Sequence, residues 1–324
     1  MSFGAVSTAK INDLLLAGAR EAELAEFVAV ASRDRARAED YAREHGLEIA
    51  HDSYEGLLAD DRVDAVYISL PNSMHVEWSI RALEAGKHVL CEKPMARSEV
   101  QVARAFDAAE AAGLQLSEAF MWRHNPQTHR LQELVADGAI GDLRHVRAAF
   151  SFRLDDTANI RMRPELEGGS LMDVGCYCVS AARLFCGEPE RVQAEAVMSN
   201  GVDVRFIGLM RFAGDLTASF DCGFDITPRD ELELVGSEGS LYCDDPWHCR
   251  VPIIEWRRGD GETERIELAP VDSYGLELDD LSRAISEGGE PLLGRADALG
   301  QARAIEALYA AAGAGAEITI EENR

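Results

Sequence analysis

Short apolar runs alternate with amphipathic stretches through the first third of the chain. The pattern predicts strands at residues 3–6, 27–31, 63–70, 88–91 and 114–120, and helices at residues 11–20, 35–45, 76–85 and 99–112. Strands that alternate with helices of this length form βαβ units with right-handed crossovers. Residues 1–122 are therefore expected to form an α/β Rossmann domain with a doubly wound parallel sheet.

The pattern changes beyond that point. One helix is predicted at residues 128–136, strands at residues 144–153 and in several runs between residues 192 and 268, and two closing helices at residues 274–286 and 295–312. Many short strands separated by glycine turns are typical of an antiparallel sheet. We expect residues 123–324 to form an α+β domain with a large, mostly antiparallel open sheet. Ligands of such proteins bind at the carboxyl ends of the parallel strands, facing the second domain.

The turn after the first strand is the first candidate for cofactor binding. A dinucleotide fingerprint places glycines near positions 7, 9 and 12, where this chain has Ser7, Ala9 and Asn12. The turn must be tight and must present amide groups at a helix N-terminus, and small residues can meet both needs. The cofactor-binding residues expected here are Ser7, Thr8, Ala9, Lys10 and Ile11. An ordinary capped strand–helix turn remains the alternative.

The end of the second strand bears on the choice of cofactor. An NAD enzyme places an acid there to bind the ribose hydroxyls, whereas this chain has Ser32 and Arg33. A hydroxyl and a guanidinium suit the 2′-phosphate of NADP. The neighbouring Asp34 keeps NAD possible, and a solvated loop charge is the alternative reading.

Lysine is rare in this chain, which has only Lys10, Lys87 and Lys93. Lys93 directly follows a predicted strand, within Glu92-Lys93-Pro94. Lysine can lose a proton or act as a compact donor at a reacting hydroxyl, whereas arginine remains charged. Lys93 is therefore a candidate catalytic residue.

A second candidate follows a glycine pair. Residues from Ser170 onward have helical apolar spacing, which places Asp173 and Tyr177 four residues apart on one helix face. A carboxylate and a phenol side by side can orient a sugar hydroxyl and exchange its proton. The alternative is a capping acid beside a core tyrosine.

Taken together, several stretches resemble the Gfo/Idh/MocA family, named for glucose–fructose oxidoreductase and inositol dehydrogenase. The resemblance covers nearly the whole chain and is greatest to the branch that holds dimeric dihydrodiol dehydrogenases and NADP-dependent D-xylose dehydrogenases. The matching stretches are residues 28–34, 71–75, 85–94, 118–126, 138–141 and 168–177.

The resemblance implies roles for individual residues. Lys93 contacts the reacting hydroxyl, Pro94 follows a cis peptide bond, Asp173 binds substrate and Tyr177 is the acid/base, where many relatives carry histidine. Further expected cofactor contacts are Leu70, Pro71, Asn72, His75, Glu92 and Lys93 itself. The expected substrate contacts are Trp122, Arg123, His124, Asp173 and Tyr177.

The activity implied is reversible oxidation of a sugar by NADP, with NAD possible. Tyr177, its phenolate favoured by the Lys93 cation, takes the proton of the C1 hydroxyl while the hydride leaves for the nicotinamide, which gives a lactone. An aldose 1-dehydrogenase is the first expectation. The alternatives are a dihydrodiol dehydrogenase, a keto-sugar reductase, and a catalytically silent NADP sensor. The resemblance also implies a homodimer or homotetramer through the C-terminal sheet.

Charge and composition narrow the choice of partners. The 324 residues hold 58 acidic and 32 basic side chains, so the net charge is −26. Such a chain repels nucleic acid and anionic membranes, and we expect neither as a partner. An acidic, lysine-poor surface suits a salt-rich cytosol, and a GC-rich genome that favours arginine codons is the alternative. We found no signal peptide and no apolar run that could cross a bilayer, so a cytoplasmic protein is expected.

The cysteines were considered for metal binding. The seven cysteines include no C-x-x-C pair, although Cys243, His248 and Cys249 lie close together. A structural zinc site needs four ligands at set spacings, and a second pair is missing. We therefore expect neither a metal nor a disulfide framework.

Overall fold

The computed structural model describes residues 1–320, which divide into two compact units. The first comprises Met1–His124 and Asp272–Leu299, and the second comprises Asn125–Val271 and the chain from Gly300 onward. The sequence was divided only once, after residue 122, whereas the structure returns a later segment to the first unit. The expected end of the second domain, at residue 324, lies outside the described residues.

The first unit contains a six-stranded parallel sheet in the order β3-β2-β1-β4-β5-β6. The order reverses beside β1, as in a doubly wound sheet, and this confirms the predicted Rossmann fold. Its elements are β1 (Ser2–Val6), α1 (Ile11–Ala19), β2 (Glu26–Ala31), α2 (Arg35–His45), β3 (Ile49–His51), α3 (Tyr54–Leu58), β4 (Ala65–Ile68), α4 (His75–Glu84), β5 (His88–Glu92), α5 (Glu99–Ala112) and β6 (Leu116–Ala119).

Local sequence explains most of these boundaries. Asp34 and Ser53 cap α2 and α3 through their side chains, and Gly46 and Gly113 end α2 and α5 in the left-handed conformation that glycine tolerates. The sequence reading missed β3 and α3, because elements of three and five residues are too short to show a period.

The second unit contains a nine-stranded sheet in the order β14-β13-β12-β11-β7-β10-β9-β8-β15. Only β7 and β10 pair in parallel among its described strands, so the prediction of a mostly antiparallel sheet is confirmed. The remaining elements of the chain are α6 (Pro126–Ala136), β7 (Leu143–Ser151), α7 (Cys176–Cys186), β8 (Pro189–Ser199), β9 (Val202–Phe212), β10 (Thr217–Gly223), β11 (Arg229–Gly236), β12 (Gly239–Asp244), β13 (Ile253–Arg258), β14 (Thr263–Glu267), α8 (Ser273–Glu287), α9 (Arg295–Ala314) and β15 (Ile318–Thr319).

The two faces of this sheet differ in character. Val146, Leu232 and Leu234 are fully buried on the face that packs against α7. Their strand neighbours point the other way, and this outer face carries charged residues together with the exposed Ile207 and Leu209. The inner face of the sheet therefore supports α7, while the outer face remains accessible in the single chain.

Helix α8 belongs to the first unit although it follows the second sheet in sequence. Leu278 and Leu281 pack in the same core cluster as Phe3 and Leu15. The Asp279 carboxylate also accepts hydrogen bonds of 2.9 and 2.7 Å from the amides of Glu23 and Leu24. These contacts join residues more than 250 positions apart, so no local pattern could have predicted them.

Within residues 1–320, no helix combines the length and the apolar character that a membrane span requires. None of the seven cysteines, all within residues 1–320, forms a disulfide, and six of them are buried.

Candidate active site

The turn between β1 and α1 lacks glycine but adopts a glycine-like conformation. Ser7 has φ 129°, a value at which residues with a side chain are rare. Its hydroxyl accepts a hydrogen bond from the amide of Ala9 (3.1 Å) and pairs with the Ser69 hydroxyl (2.8 Å). The buried Asn12 donates to the carbonyl of Ser7 (2.8 Å). Buried polar contacts thus hold the tight turn that a dinucleotide site needs, and α1 begins directly after it at Ile11.

The end of β2 places its charged residues in distinct roles. The Asp34 carboxylate accepts a hydrogen bond of 3.0 Å from the amide of Arg37 and so caps α2. The Ser32 hydroxyl accepts from the amide of Asp34 (3.2 Å), and Arg33 is exposed. Because the acid is committed to the helix cap, the residues that remain for a ribose or its phosphate are a hydroxyl and a guanidinium. This donor set fits NADP.

Arg37 is a residue that the sequence reading missed. Its Nη2 donates a hydrogen bond of 3.3 Å to the carbonyl of Thr8, in the turn after β1. A second guanidinium therefore lies beside the cofactor turn, four residues after Arg33. Helical spacing from Arg33 was the only available signal, and the sequence alone did not show that this helix face meets the turn.

The loop after β4 contains Leu70, Pro71 and Asn72, which lead into α4. His75 is 1% exposed, and its ring nitrogens lie 2.8 Å from the Leu70 carbonyl and 3.0 Å from the Pro94 carbonyl. Burial lowers the pKa of His75 to about 4, so the ring is neutral near pH 7. A neutral ring carries one N–H, so His75 donates to one of these two carbonyls while its other nitrogen only contacts the second. His75 thus packs between the loop after β4 and the loop after β5.

The loop after β5 carries Glu92, Lys93 and Pro94, and the Lys93–Pro94 peptide is cis, as the resemblance implied. Glu92 accepts hydrogen bonds from the buried hydroxyl of Tyr67 and from the amide of Lys93, the second at 3.2 Å. The Glu92 carboxylate thus fixes the backbone that carries Lys93, whose side chain is half-buried.

A buried acid on α8, Glu277, interacts electrostatically with Glu92. Glu277 of α8 is 2% exposed, and its Oε2 has no hydrogen-bond partner among residues 1–320. Burial raises the pKa of Glu277 well above its ordinary value, and the charge of Glu92 raises it further. Its burial therefore favours the neutral, protonated form of Glu277. The sequence reading missed it because α8 reaches this unit only through the tertiary fold.

Trp122, Arg123 and His124 form a buried 3₁₀ turn at the end of the first unit's leading segment. The Arg123 guanidinium lies 5.9 Å from the Trp122 ring centroid and donates to Asp297 (3.3 Å). A carboxylate and an aromatic ring thus hold this arginine, so its position is fixed by its neighbours.

The second unit carries Asp173 and Tyr177, and here the predicted helix needs correction. Leu171–Gly175 forms a π-helix, and the α-helix begins only at Cys176. The prediction of an α-helix from Ser170 was therefore wrong for five residues. Two contacts of the glycine pair account for the local backbone: a Cβ on Gly168 would lie 2.3 Å from the Arg161 carbonyl, and the Gly169 amide donates to that carbonyl at 3.0 Å. π-turns occur preferentially at functional sites.

Asp173 has an ion-pair partner that the sequence did not reveal. Arg161, in a 3₁₀ turn, donates from Nε to Oδ2 of Asp173 at 2.6 Å. The Asp173 side chain is 16% exposed. This pairing orients the carboxylate.

Tyr177 lies in an aromatic cluster of the second unit. Its ring centroid lies 5.4 Å from that of Phe150 in an edge-on arrangement, and 5.8 Å from that of Trp247. Trp247 is fully buried and donates to the Ala149 carbonyl (3.2 Å), whereas Phe150 is half-buried. The rings fix Tyr177 and form an apolar surface beside its phenol.

The suggested zinc residues do not form a site together. Cys243 is fully buried in β12, and burial raises the pKa of its thiol to about 12. The Cys249 thiol donates to the Pro246 carbonyl (3.1 Å), and His248 pairs with Asp230 and Asp245 instead. The first unit thus holds the predicted cofactor contacts, Lys93 and Trp122–His124, while the second holds Asp173 and Tyr177.

Two family descriptions match two consecutive parts of the sequence. An oxidoreductase family with an NAD-binding Rossmann fold matches residues 3–120, and the GFO/IDH/MocA C-terminal domain matches residues 128–242. D-xylose 1-dehydrogenase (NADP(+)) 2 of Haloferax volcanii is 40% identical over 99% of this chain and 100% of its own. The chain belongs to the GFO/IDH/MocA family.

Other members of the GFO/IDH/MocA family resemble it along most of their length. A trans-1,2-dihydrobenzene-1,2-diol dehydrogenase of Oryctolagus cuniculus is 34% identical over 76% of this chain and 74% of its own. The solved aldose-aldose oxidoreductase from Caulobacter crescentus, complexed with glycerol, matches with a TM-score of 0.92 and 28% identity over 98% of this chain and 99% of that one. A solved 3-ketoreductase from Actinomadura kijaniata, in complex with NADP and TDP-benzene, matches with a TM-score of 0.90. Its sequence identity is 31%, and the match covers 96% of this chain and 97% of that one.

Family membership and the described geometry agree. The chain is an oxidoreductase of the GFO/IDH/MocA family with a nicotinamide-dinucleotide-binding Rossmann domain. The branch named from the sequence is also confirmed, since its relatives include both a xylose dehydrogenase and dihydrodiol dehydrogenases.

Proposed function

We propose that the chain is an NADP-dependent aldose 1-dehydrogenase acting on sugars of the D-xylose or D-glucose type. The observation that carries the proposal is the similarity, along the whole chain, to the NADP-dependent D-xylose 1-dehydrogenase of Haloferax volcanii. The end of β2 supports the cofactor choice, because Asp34 caps a helix and leaves Ser32 and Arg33 for a 2′-phosphate.

The proposed chemistry divides between three side chains. NADP, when bound, accepts the hydride from C1 of the sugar. Tyr177 takes the proton of the C1 hydroxyl, Lys93 donates a hydrogen bond to the same oxygen, and Asp173 binds a neighbouring hydroxyl. The pairing of Asp173 with Arg161 orients that carboxylate as a hydrogen-bond acceptor. The product is a lactone, and the reaction is reversible.

The cofactor contacts proposed are those named from the sequence, with Arg37 added. The turn after β1 binds the pyrophosphate through its amides and the start of α1. Leu70, Pro71, Asn72 and Glu92 lie on the loops after β4 and β5, at the carboxyl ends of the parallel strands. His75 acts indirectly, because its ring holds these two loops together.

A spectrophotometric screen tests the activity. The chain is mixed with NADP or NAD and a panel of aldoses and trans-dihydrodiols, and, in the reverse direction, with NADPH and keto-sugars, while absorbance of the reduced nicotinamide is followed. We expect the highest kcat/KM for NADP with D-xylose or D-glucose. A higher value for a dihydrodiol or a keto-sugar contradicts the aldose assignment.

Reduction of a keto-sugar is the second candidate, favoured by the structural match to the 3-ketoreductase of Actinomadura kijaniata. A silent NADP sensor is the candidate of another class. Turnover of any substrate in the panel excludes the sensor, whereas tight NADP binding without turnover of any supports it. The retention of Lys93, Asp173 and Tyr177 in one chain favours an enzyme.

We also propose that the enzyme assembles as a homodimer, or a homotetramer, through the outer face of the nine-stranded sheet. Val197, Ile207 and Leu209 of β8 and β9 are each about half exposed on neighbouring strands. Contiguous apolar surface of this kind is typical of association sites. Size-exclusion chromatography with light scattering should give a multiple of the 35.4 kDa chain mass. Ile207→Glu should shift it toward the single chain.

The cellular setting is proposed on the same grounds as the reaction. We propose that the chain works in the cytoplasm, and its net charge of −26 suits a salt-rich one.

A further inference from the structure

His248 lies in the loop after β12, close to the inner face of the sheet. Its Nδ1 is 3.2 Å from Oδ2 of Asp230 and 3.3 Å from Oδ1 of Asp245. Asp230 stands directly opposite Phe150 in the pairing of β11 with β7. The centroid of the His248 ring lies 5.7 Å from that of Phe150 in an edge-on arrangement. The imidazole is thus fixed from two sides, by carboxylates and by an aromatic ring.

The loop that carries His248 is held by Arg250. The backbone amide and Nε of Arg250 donate to Oδ2 of Asp245 at 2.8 and 2.9 Å, and Nη2 donates to Oδ1 at 2.9 Å. Asp245 and Cys249 both adopt positive φ, at 61° and 54°. A loop with this many bonds to one carboxylate holds its histidine in one place.

The three residues Asp230, Asp245 and His248 are close enough to share a metal ion. However, the Arg250 guanidinium already provides a positive charge at the two carboxylates. It forms two hydrogen bonds to Asp245 and lies 3.8 Å from Asp230. A divalent ion would have to displace that guanidinium. The cluster is therefore better suited to orienting the imidazole than to binding a metal.

The direction of the histidine determines what it can bind. Nδ1 faces the carboxyl oxygens of Asp230 and Asp245, and Nη2 of Arg250 lies 3.4 Å from it. The tautomer that carries its proton on Nδ1 donates to Asp230, because a carboxylate accepts hydrogen bonds. Nε2 has no hydrogen-bond partner among residues 1–320, and the side chain is 31% exposed. Burial lowers the pKa of His248, but hydrogen bonds to Asp230 and Asp245 outweigh it and leave it raised. Nε2 therefore donates when the ring is protonated and accepts when it is neutral.

The histidine shares its aromatic neighbour with Tyr177. Phe150 contacts both rings, at 5.4 Å for Tyr177 and 5.7 Å for His248, and Trp247 lies behind them. Sugars bind proteins through apolar C–H faces laid on aromatic rings and through hydroxyls paired at the edges. Phe150, between the phenol of Tyr177 and the imidazole of His248, can supply both kinds of contact.

We propose that His248 is a specificity-determining residue that binds, through Nε2, a hydroxyl of the sugar away from the reacting carbon. The inference rests on the proposed function, since it takes Tyr177 as the group at C1. The ligand is a neutral aldose lying over Phe150. Asp230 and Arg250 fix the imidazole, as positioning residues.

The chemistry of the cluster favours a hydroxyl over an anion. A hydroxyl can donate or accept, so it pairs with Nε2 in either protonation state of the ring. A phosphate pairs only with the protonated ring, and the carboxylates of Asp230 and Asp245 repel it. The site therefore selects neutral sugars over sugar phosphates.

The first test observes the ring directly. Protein labelled with ¹³C in histidine rings is titrated with D-xylose and D-glucose in the presence of NADP, and the His248 signal is assigned by its loss in His248→Phe. We expect that signal to shift in a saturable manner. The His129 signal should not move, because His129 is exposed on α6.

The second test pairs variants with substrate analogues. His248→Phe keeps a ring against Phe150 but removes the hydrogen bond. Because a net hydrogen bond is worth about 0.5–1.5 kcal/mol, we expect kcat/KM to fall by roughly 3- to 10-fold, mainly through KM. For one deoxy-aldose, the wild type should have a lower kcat/KM than for the parent sugar. His248→Phe should have the same kcat/KM for that deoxy-aldose and for the parent sugar. His129→Gln is the matched control and should behave as wild type.

The outcomes separate this inference from the proposed function. If aldoses are oxidised but the His248 signal stays still and the deoxy series is unchanged by His248→Phe, the inference is wrong and the function stands. If no aldose is oxidised but sugar shifts the signal, the sugar site stands and the dehydrogenase assignment is wrong. If neither effect occurs, both are wrong.

Discussion

Arg161 donates a hydrogen bond from Nε to Oδ2 of Asp173 at 2.6 Å, across a turn whose backbone is also bonded to Gly169. The pair explains how a partly exposed acid is held in one orientation. It also shows that the proposed substrate carboxylate depends on a residue twelve positions earlier.

Replacing Arg161 should therefore weaken sugar binding. We expect Arg161→Met to raise KM for the aldose by about 10-fold, since charge-assisted hydrogen bonds are worth about 1.5–3 kcal/mol and part of this is lost to solvent screening. Arg161→Lys should recover part of the loss. The measurement is steady-state kinetics, with the NADP Kd from fluorescence titration expected to stay constant. Arg163→Met is the control, because Arg163 is exposed and its ion pair with Glu165 is long, at 3.9 Å. Equal effects of the two methionine variants would remove Arg161 from this role.

Lys93 and Tyr177 should act as one unit in proton transfer. General acid–base groups contribute about 10²–10⁴ in rate, so Tyr177→Phe and Lys93→Met should each lower kcat by roughly that factor. The double variant should lose little more, because residues that act together are not additive. NADP affinity should change only modestly.

The control for this pair is Tyr242→Phe, on the outer face of the sheet, which should keep its activity. Near-normal kcat in Tyr177→Phe would show that Tyr177 is not the acid/base. His124 would then be the next candidate, because both ring nitrogens of His75 already contact carbonyls.

Arg33 should set the preference for NADP. Arg33→Asp should lower the ratio of kcat/KM for NADP over NAD by about 10- to 100-fold, since a hydrogen bond between charged groups is worth about 1.5–3 kcal/mol. Arg43→Asp, at the far end of α2, is a control with the same charge change. An unchanged ratio in Arg33→Asp would contradict the assignment and would direct attention to Arg37.

Glu277 should make the enzyme less stable as pH rises. The pKa of Glu277 is raised in the folded state, so this carboxyl ionises at a lower pH in the unfolded chain than in the folded one. As pH rises above the ordinary value of 4.5, ionisation therefore stabilises the unfolded state, and the free energy of unfolding falls. Glu277→Gln removes this term. Its Tm should be close to wild type near pH 4.5 and higher by at least about 3 °C near pH 8, because about 1 kcal/mol shifts Tm by 2–4 °C. Scanning fluorimetry across pH gives both curves. Glu287→Gln, exposed on the same helix, should track wild type, and a constant gap between the Glu277→Gln and wild-type curves would refute the explanation.

Salt should stabilise the chain. With a net charge of −26, self-repulsion opposes folding, and about 1 M KCl shortens the Debye length to about 3 Å. We expect Tm and activity to be maintained or increased from dilute buffer to about 2 M KCl, and an uncharged osmolyte at equal osmolality to reproduce only part of the gain. A fall in Tm over this range would be the contrary result.

The sequence by itself determined the two-part architecture. Residues 27–31 form a continuous apolar run, as expected for a strand of a parallel sheet that is buried on both faces. Residues 35–45 follow the helical period instead. Residues with unusual chemistry for their context, such as Lys93 in a lysine-poor chain, could also be found locally. Ser32 and Arg33 could also be found locally, because the predicted preference for NADP depends only on their position directly after the second strand.

The tertiary structure decided which partners these residues have. Arg161 reaches Asp173 through a turn, Glu277 reaches Glu92 because α8 folds back onto the first unit, and Asp230 meets Phe150 only through strand register. The π-helix at Leu171–Gly175 was also not visible in the apolar periodicity, which fits any helical turn. Sequence patterns report the burial of each residue in its own element, whereas such contacts depend on how distant elements are brought together. For this reason His248 could be read from the sequence only as a possible metal ligand, and as a candidate sugar-binding group only from the fold.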